Sequence, residues 1–223
     1  MEPLAHPHRP SLESEQRRVR DLVLEMGEMV DVAISRAIRA LVERDVEMAG
    51  EVITGDHAVN ARQAEVHEHC LSVILTQAPV ARDLREILGF LHMSDELERM
   101  GDHCVNVARI GRNLADLPPL GTPIDLAVLS RMCAEQVQDM LNALVGRDID
   151  RARSIAARDD RVDRIYHRMV DDIIQVMVSD SRDVYAGSQL VLVAVNFERI
   201  ADRVTNLAED LVFLETGNVE ELG

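Results

Sequence analysis

The chain has 223 residues and a net charge of −16, with 47% hydrophobic residues, 2% aromatic residues and no Trp. So negative a balance argues against wrapping nucleic acid or docking on anionic lipid, and suits a cation or a basic protein partner. A core of Leu, Val, Ile, Met and Ala with so few aromatics favours helices over a sheet sandwich.

Residues 1–11 hold three prolines and two histidines and read as a flexible tail without the apolar segment of a signal peptide. From Leu12 to Glu43, Val19, Leu22, Met26, Met29, Val30, Ala33, Ala37 and Leu41 recur at three- and four-residue steps, the mark of an amphipathic helix, with Ser11 as its N-cap. Arg44-Asp45 breaks it. A second helix is predicted from Val46 to Gln77, with Gly55-Asp56 as a candidate irregularity inside it. The third runs from about Val80 to Leu114. Its seam is Phe90, Met93, Leu97, Met100, Cys104, Val107, Gly111 and Leu114, alternating three- and four-residue steps as in a coiled coil. Asp116–Asp125, read DLPPLGTPID, then separates two units.

The second half repeats the plan. Leu126 to Leu144 predicts a fourth helix, Arg147-Asp148 echoes Arg44-Asp45, and Ala152 to Val176 predicts a fifth, unbroken helix. The sixth carries Leu190, Val193, Phe197, Ile200, Val204, Leu207, Leu211 and Leu214, the third-helix seam shifted by one hundred residues. The expected architecture is all-α: two tandem three-helix bundles, residues 12–115 and 122–217, formed by an internal repeat.

Within that repeat, Leu97–Ile110 (LERMGDHCVNVARI) returns as Phe197–Asp210 (FERIADRVTNLAED). Each copy places Glu, Asp and Asn at four-residue steps, hence on one helical face: Glu98, Asp102 and Asn106, then Glu198, Asp202 and Asn206. At 100° per residue this face lies opposite Met93, Met100 and Cys104, so the ladders are expected on the outside of the bundles. That geometry argues against a di-iron oxidase, whose ligands converge inside a bundle. Like charges at this spacing cost a few tenths of a kcal/mol, and the arrangement occurs twice in register. Oxygen ligands of this kind suit hard cations. Asp56 and Asn60 in the second helix, and Asp159 and Asp163 in the fifth, form a further group of candidate ligands, for which helix capping is an equal explanation. Upstream, Leu84, Leu88 and Leu91, and Val184, Val191 and Val195, extend the ladder face as an apolar stripe that a subunit or partner would cover.

Other chemistry is sparse. Cys70, Cys104 and Cys133 show no Cys-x-x-Cys spacing, which argues against a zinc-thiolate site or a disulfide framework and for a reducing cytosol. The longest apolar run, Leu190–Val195, falls far short of the ~20 residues that span a bilayer. No glycine-rich phosphate loop or nucleophile elbow is present.

Gln77–Arg85 (QAPVARDLR), followed by the two ladder segments, resembles the PhoU family of phosphate-signalling regulators from about Leu12 to Thr216. The resemblance implies a cytoplasmic, all-helical, non-enzymatic negative regulator of phosphate uptake, often a homodimer. It implies as partners the ATPase subunit of the phosphate transporter and a sensor histidine kinase. It also implies metal (iron, manganese or magnesium) on Glu98, Asp102, Glu198 and Asp202, with Asn106 and Asn206 alongside. Asp180-Ser-Arg-Asp replaces the Pro-Val-Ala-Arg-Asp of the first repeat, which leaves the start of the sixth helix open. The competing readings are a helical adaptor without functional metal and a metal-dependent phosphoesterase.

Overall fold

Helices fill nearly all of residues 11–121 and 124–222, the part of the chain that the computed structural model describes. They are α1 (Leu12–Glu43), α2 (Val46–Gln77), α3 (Arg82–Leu114), α4 (Ala127–Gly146), α5 (Ile149–Ala156), α6 (Asp159–Ser179) and α7 (Val184–Thr216). A 3₁₀ turn, Ser181–Asp183, precedes α7. The tail expected over residues 1–11 lies outside the described residues, apart from Ser11. Among the described residues there is no strand, and no helix is long and apolar enough to cross a membrane.

The turns come from an Arg-Asp pair used twice. Arg44 (φ 57°) and Arg147 (φ 51°) end α1 and α4 in the left-handed region. Asp45 N–H then reaches back to Ala40 O, and Asp148 N–H to Ala143 O, each at 2.9 Å, which closes a Schellman motif. The same aspartates cap the next helices: Asp45 accepts from Met48 N–H at 2.9 Å and Asp148 from Arg151 N–H at 3.0 Å. One dipeptide thus stops one helix and starts another.

The seams predicted for the third and sixth helices are buried along their length, except that Leu190 is half-buried, and in α1 the predicted face is buried apart from the half-buried Met29 and Ala33. α1, α2 and α3 pack on one another, as do α4, α5–α6 and α7, and the two groups meet through α1 on α4 and α3 on α7. α1 runs parallel to α3, with Gln16 near Asp83 at one end and Leu41 near Gly111 at the other. α3 and α7 run antiparallel, because Arg85 meets Leu214 while Asn106 meets Asn196. A pseudo-two-fold axis through this crossing relates the repeats. Gly111 is needed where α1 approaches α3: a Cβ there would lie 3.1 Å from Leu41 Cα, a backbone atom that cannot swing away.

Two expectations are corrected. The unbroken fifth helix is α5 and α6, interrupted at Ala157-Arg158. Asp139 of α4 holds both sides of the break, binding Arg151 at 2.8 Å and Arg158 at 2.7 Å. Asp159 and Asp160 then occupy the first turn of α6, where acidic groups favour a helix start. The irregularity considered at Gly55-Asp56 does not occur, and α2 is continuous there. The open boundary before α7 is settled by the 3₁₀ turn, in which Asp180 accepts from Arg182 N–H at 2.9 Å.

Candidate metal centres and the crossing between them

α2 lies against α3, and this sets Asp56 of α2 close enough to Glu98 and Asp102 of α3 for their charges to interact. The second repeat does the same with α6 and α7, which group Asp159, Asp163, Glu198 and Asp202. Each ladder therefore lies along a groove whose other bank is acidic. Gly101 permits the close approach in the first repeat, since a Cβ there would stand 3.2 Å from Asp56 Oδ1. Asp102 is exposed, and Glu98, Glu198, Asp202, Asp56, Asn60, Asp159 and Asp163 are half-buried.

Burial and mutual repulsion act together on these carboxyls. Burial first, then Asp102, raises the pKa of Asp56. Glu98 is raised by burial and then by Asp102 and Asp56. Burial, then Asp163 and Asp202, pushes Asp159 up to about 6. Glu198 and Asp202 shift upward for the same reasons. Arg99 and Arg199 partly offset the charge, without forming an ion pair to the ladders among the described residues.

Whether the groups suit a cation is decided by their unmet acceptors. Asp56 Oδ1, Asn60 Oδ1 and Asp159 Oδ1 are buried and have no hydrogen-bond partner among the described residues. Buried acceptors without donors are rare and call for a cation or water. The donor set is all oxygen and fits a hard cation. As placed, no group of three or more His, Cys, Asp or Glu side chains among the described residues is gathered tightly enough to hold an ion, so cation binding would have to draw the carboxylates inward.

Asn106 and Asn206 are not gathered into these groups. They turn toward the α3–α7 crossing, where a polar exchange obeys the pseudo-two-fold. Asn106 Nδ2 donates to Asn196 Oδ1 at 3.4 Å, and His103 Nδ1 approaches the same oxygen at 3.0 Å. In the mirrored contact, Asn206 Nδ2 donates to Glu96 Oε2 at 2.9 Å and Arg203 Nη1 at 3.2 Å. Glu96 and Asn196 are one hundred residues apart, as are His103 and Arg203. Sequence reasoning missed this quartet, although the non-identity of His103 and Arg203 was its signal: each matches the residue it must face, a neutral amide or a carboxylate. Beside it, His92 Nδ1 stands 2.7 Å from Asp210. Burial pushes Asp210 up to about 6, against the pull of His92.

The cysteines are core residues. All three are buried and free, Cys133 donates its S–H to Phe197 O at 3.1 Å, and burial pushes the Cys70 thiol up to about 12.

Fold and site together define a class: a duplicated helical-bundle protein with one acidic surface groove per repeat and the two repeats joined by a polar helix crossing. The comparisons place it more narrowly. The PhoU domain model matches residues 23–111 and again 126–211, one match per repeat, so the chain belongs to the PhoU family. A Deinococcus radiodurans protein named phosphate-specific transport system accessory protein PhoU homolog is 32% identical, over 95% of this chain and 100% of that one. A homologue of the same name from Aquifex aeolicus is 32% identical over 92% and 93% of the two chains. The crystal structure of PhoU from Pseudomonas aeruginosa superposes with a TM-score of 0.89 at 28% identity, covering 93% of this chain and 100% of that one. The phosphate transport system regulatory protein PhoU from Streptococcus pneumoniae gives 0.87 at 28% identity, over 95% and 100%.

Proposed function

We propose that this chain is a non-enzymatic, cytoplasmic accessory regulator of phosphate transport that restrains phosphate uptake and phosphate-starvation signalling when phosphate is abundant. The observation that carries the reading is the doubled PhoU match along the whole repeat, together with relatives named as accessory proteins of the phosphate-specific transport system. Its partners in this reading are the transporter's ATPase subunit and a sensor histidine kinase, and the chain acts as a homodimer. Uncovered apolar side chains on the ladder helices, Leu88, Val184 and Leu192, supply surface for such contacts.

In the same reading, Glu98 and Asp102 with Asp56 and Asn60 hold one metal site, and Glu198 and Asp202 with Asp159 and Asp163 hold the other. Bound there, a hard cation such as iron, manganese or magnesium would supply positive charge to carboxylates that burial and repulsion otherwise disfavour. The chain's own residues fix α2 against α3 and α6 against α7, so that charge neutralisation would tighten each groove and stiffen the surface beside it.

Two measurements test this. Deleting the gene is expected to raise transcription of phosphate-uptake genes in high phosphate, and the wild-type gene to restore repression. Protein purified without chelator is expected to carry metal that an Asp102→Ala/Asp202→Ala variant largely loses. Unchanged transcription would defeat the regulatory reading, and equal metal content would defeat the metal sites alone.

A further inference from the structure

α1 is longer than its repeat counterpart. Shifted by 103 residues, as Arg44 is to Arg147, the first residue of α4 corresponds to Leu24, so Leu12–Val23 is a helical extension that the second repeat lacks. That extension lies over the end of α4 and the start of α3. The three elements border an open surface cleft of about 190 Å³ lined by Glu13, Gln16, Arg17, Arg20, Glu86 and Arg147.

Half the lining is arginine, in a chain of charge −16. Two of the three guanidiniums are paired. Arg17 meets Glu13 at 3.2 Å, and Arg147 meets Glu86 as well as Glu215 at 2.8 Å. Arg20 differs. Among the described residues it forms no ion pair, and its Nε–H is buried without an acceptor. A guanidinium carries five donors in a planar fork that fits the oxygens of an oxyanion. The Arg20 side chain lines the cleft and none of its donors meets a protein acceptor among the described residues, which leaves them for a water or a ligand oxygen.

The opposite pole is the control that the fold provides. There Arg44 replaces Arg147, but it donates to the carbonyls of Ala115 at 3.3 Å and Leu117 at 2.6 Å. The counterpart of Glu86 is Ala186, and no helical extension supplies the other arginines. The cluster is therefore not a by-product of the repeat.

We propose that this pocket binds a small tetrahedral oxyanion, inorganic phosphate in preference to sulfate, with Arg20 as its principal donor and Arg17 and Arg147 completing the cradle. The preference follows from the two carboxylates in the wall. When ionised, Glu13 and Glu86 offer acceptors and no donor. Phosphate near pH 7 retains a P–OH proton that it donates to such an acceptor, whereas sulfate has none and meets an unrelieved negative charge. A bound anion would tie α1 to α4, and so one repeat to the other.

The test is isothermal titration of the full chain at pH 7 in chloride buffer with a chelator present, which keeps metal-bound phosphate out of the signal. Inorganic phosphate is expected to bind saturably with one site per chain, and sulfate at least about tenfold more weakly. Arg20→Gln is expected to weaken phosphate binding by about tenfold or more, and the exposed Arg17→Gln by several-fold. Arg17→Gln also serves if Arg20→Gln proves unfolded by circular dichroism. Absence of saturable binding up to millimolar phosphate overturns the proposal, as does unchanged affinity in the folded variants. Equal affinity for sulfate overturns the role given to Glu13 and Glu86. None of these results bears on metal content or on gene repression, so the proposal fails or stands apart from the reading above.

Discussion

Glu96→Ala is expected to destabilise the fold by about 3 kcal/mol and to lower the melting temperature by roughly 6–12 °C. Glu96 is only 4% exposed, and it accepts from both Arg203 and Asn206 across the α3–α7 crossing. Removing it strands a guanidinium whose Nε–H already lacks a partner among the described residues. Breaking a buried pair by deleting one member costs about 3–5 kcal/mol, because the other charge stays behind. Arg203 is partly solvent-exposed, which places the cost at the lower end. The mirrored substitution, Asn196→Ala, removes only neutral hydrogen bonds and is expected to cost about 1 kcal/mol. Thermal unfolding followed by circular dichroism measures both. A Glu96→Ala variant no less stable than Asn196→Ala would mean that the crossing is held by apolar packing alone.

This crossing also marks how far the fold was legible in the sequence. The seams at three- and four-residue steps are buried as their spacing predicts, apart from the half-buried Met29, Ala33 and Leu190, since periodicity reports directly on which face is apolar. Arg-Asp announced both turns because the two jobs it performs are local to the chain. The break before Asp159 was not legible: Gly55 lies in the continuous α2, whereas no Gly or Pro accompanies Ala157-Arg158. Asp139 holds that break from another helix, and a long-range ion pair leaves no local mark. The ladder residues were visible as a spacing. That Asp56 and Asp159 face them depends on the depth at which α2 and α6 lie against α3 and α7. Asn106 and Asn206 share the ladder's helical face with Asp102 and Asp202, yet one end of that face borders the crossing. A single-helix projection assigns residues to a side of a helix, not to the neighbour found there. The pattern from Leu12 to Glu43 predicts one long helix, and only the shorter α4 shows its first twelve residues to be an extension.

His92→Leu/Asp210→Ile is expected to make the protein more stable than the wild type at pH 8, by about 2 kcal/mol, with little difference near pH 4. The substitutions install what the repeat places at the equivalent positions, Leu192 and Ile110. In the wild type, Asp210 is 13% exposed, 2.7 Å from His92, and pushed by burial from 3.8 up to about 6. Glu96 and Glu209 face Asp210, and Glu96 and Asp95 face His92, so negative charge surrounds the pair on both helices. Against its own burial, hydrogen bonding to Asp210 raises the His92 pKa above 6.5. Both folded-state values are raised, so both contributions are present at low pH and lost as pH rises. Asp210 loses its share between about pH 4 and 6 as it ionises in place. His92 loses its share above pH 6.5 as its proton leaves and Asp210 remains charged without a cation. At about 1.4 kcal/mol per unit of pKa, the Asp210 change alone corresponds to ~3 kcal/mol, of which residual solvent access removes part. His103, whose pKa burial lowers, acts in the opposite sense and loses its contribution below pH 6.5, which shallows the slope without reversing it. Of the pair only Asp210 is largely buried, and an apolar group in its place removes the cost of holding a carboxylate away from water; the other repeat carries Leu and Ile on the equivalent backbone, with Ile110 buried and Leu192 exposed as His92 is. Urea unfolding from pH 4 to 8 reads the difference, with the wild type declining toward pH 8 and the double variant flatter. Parallel curves for the two proteins would show that this pair does not set the pH dependence of the crossing.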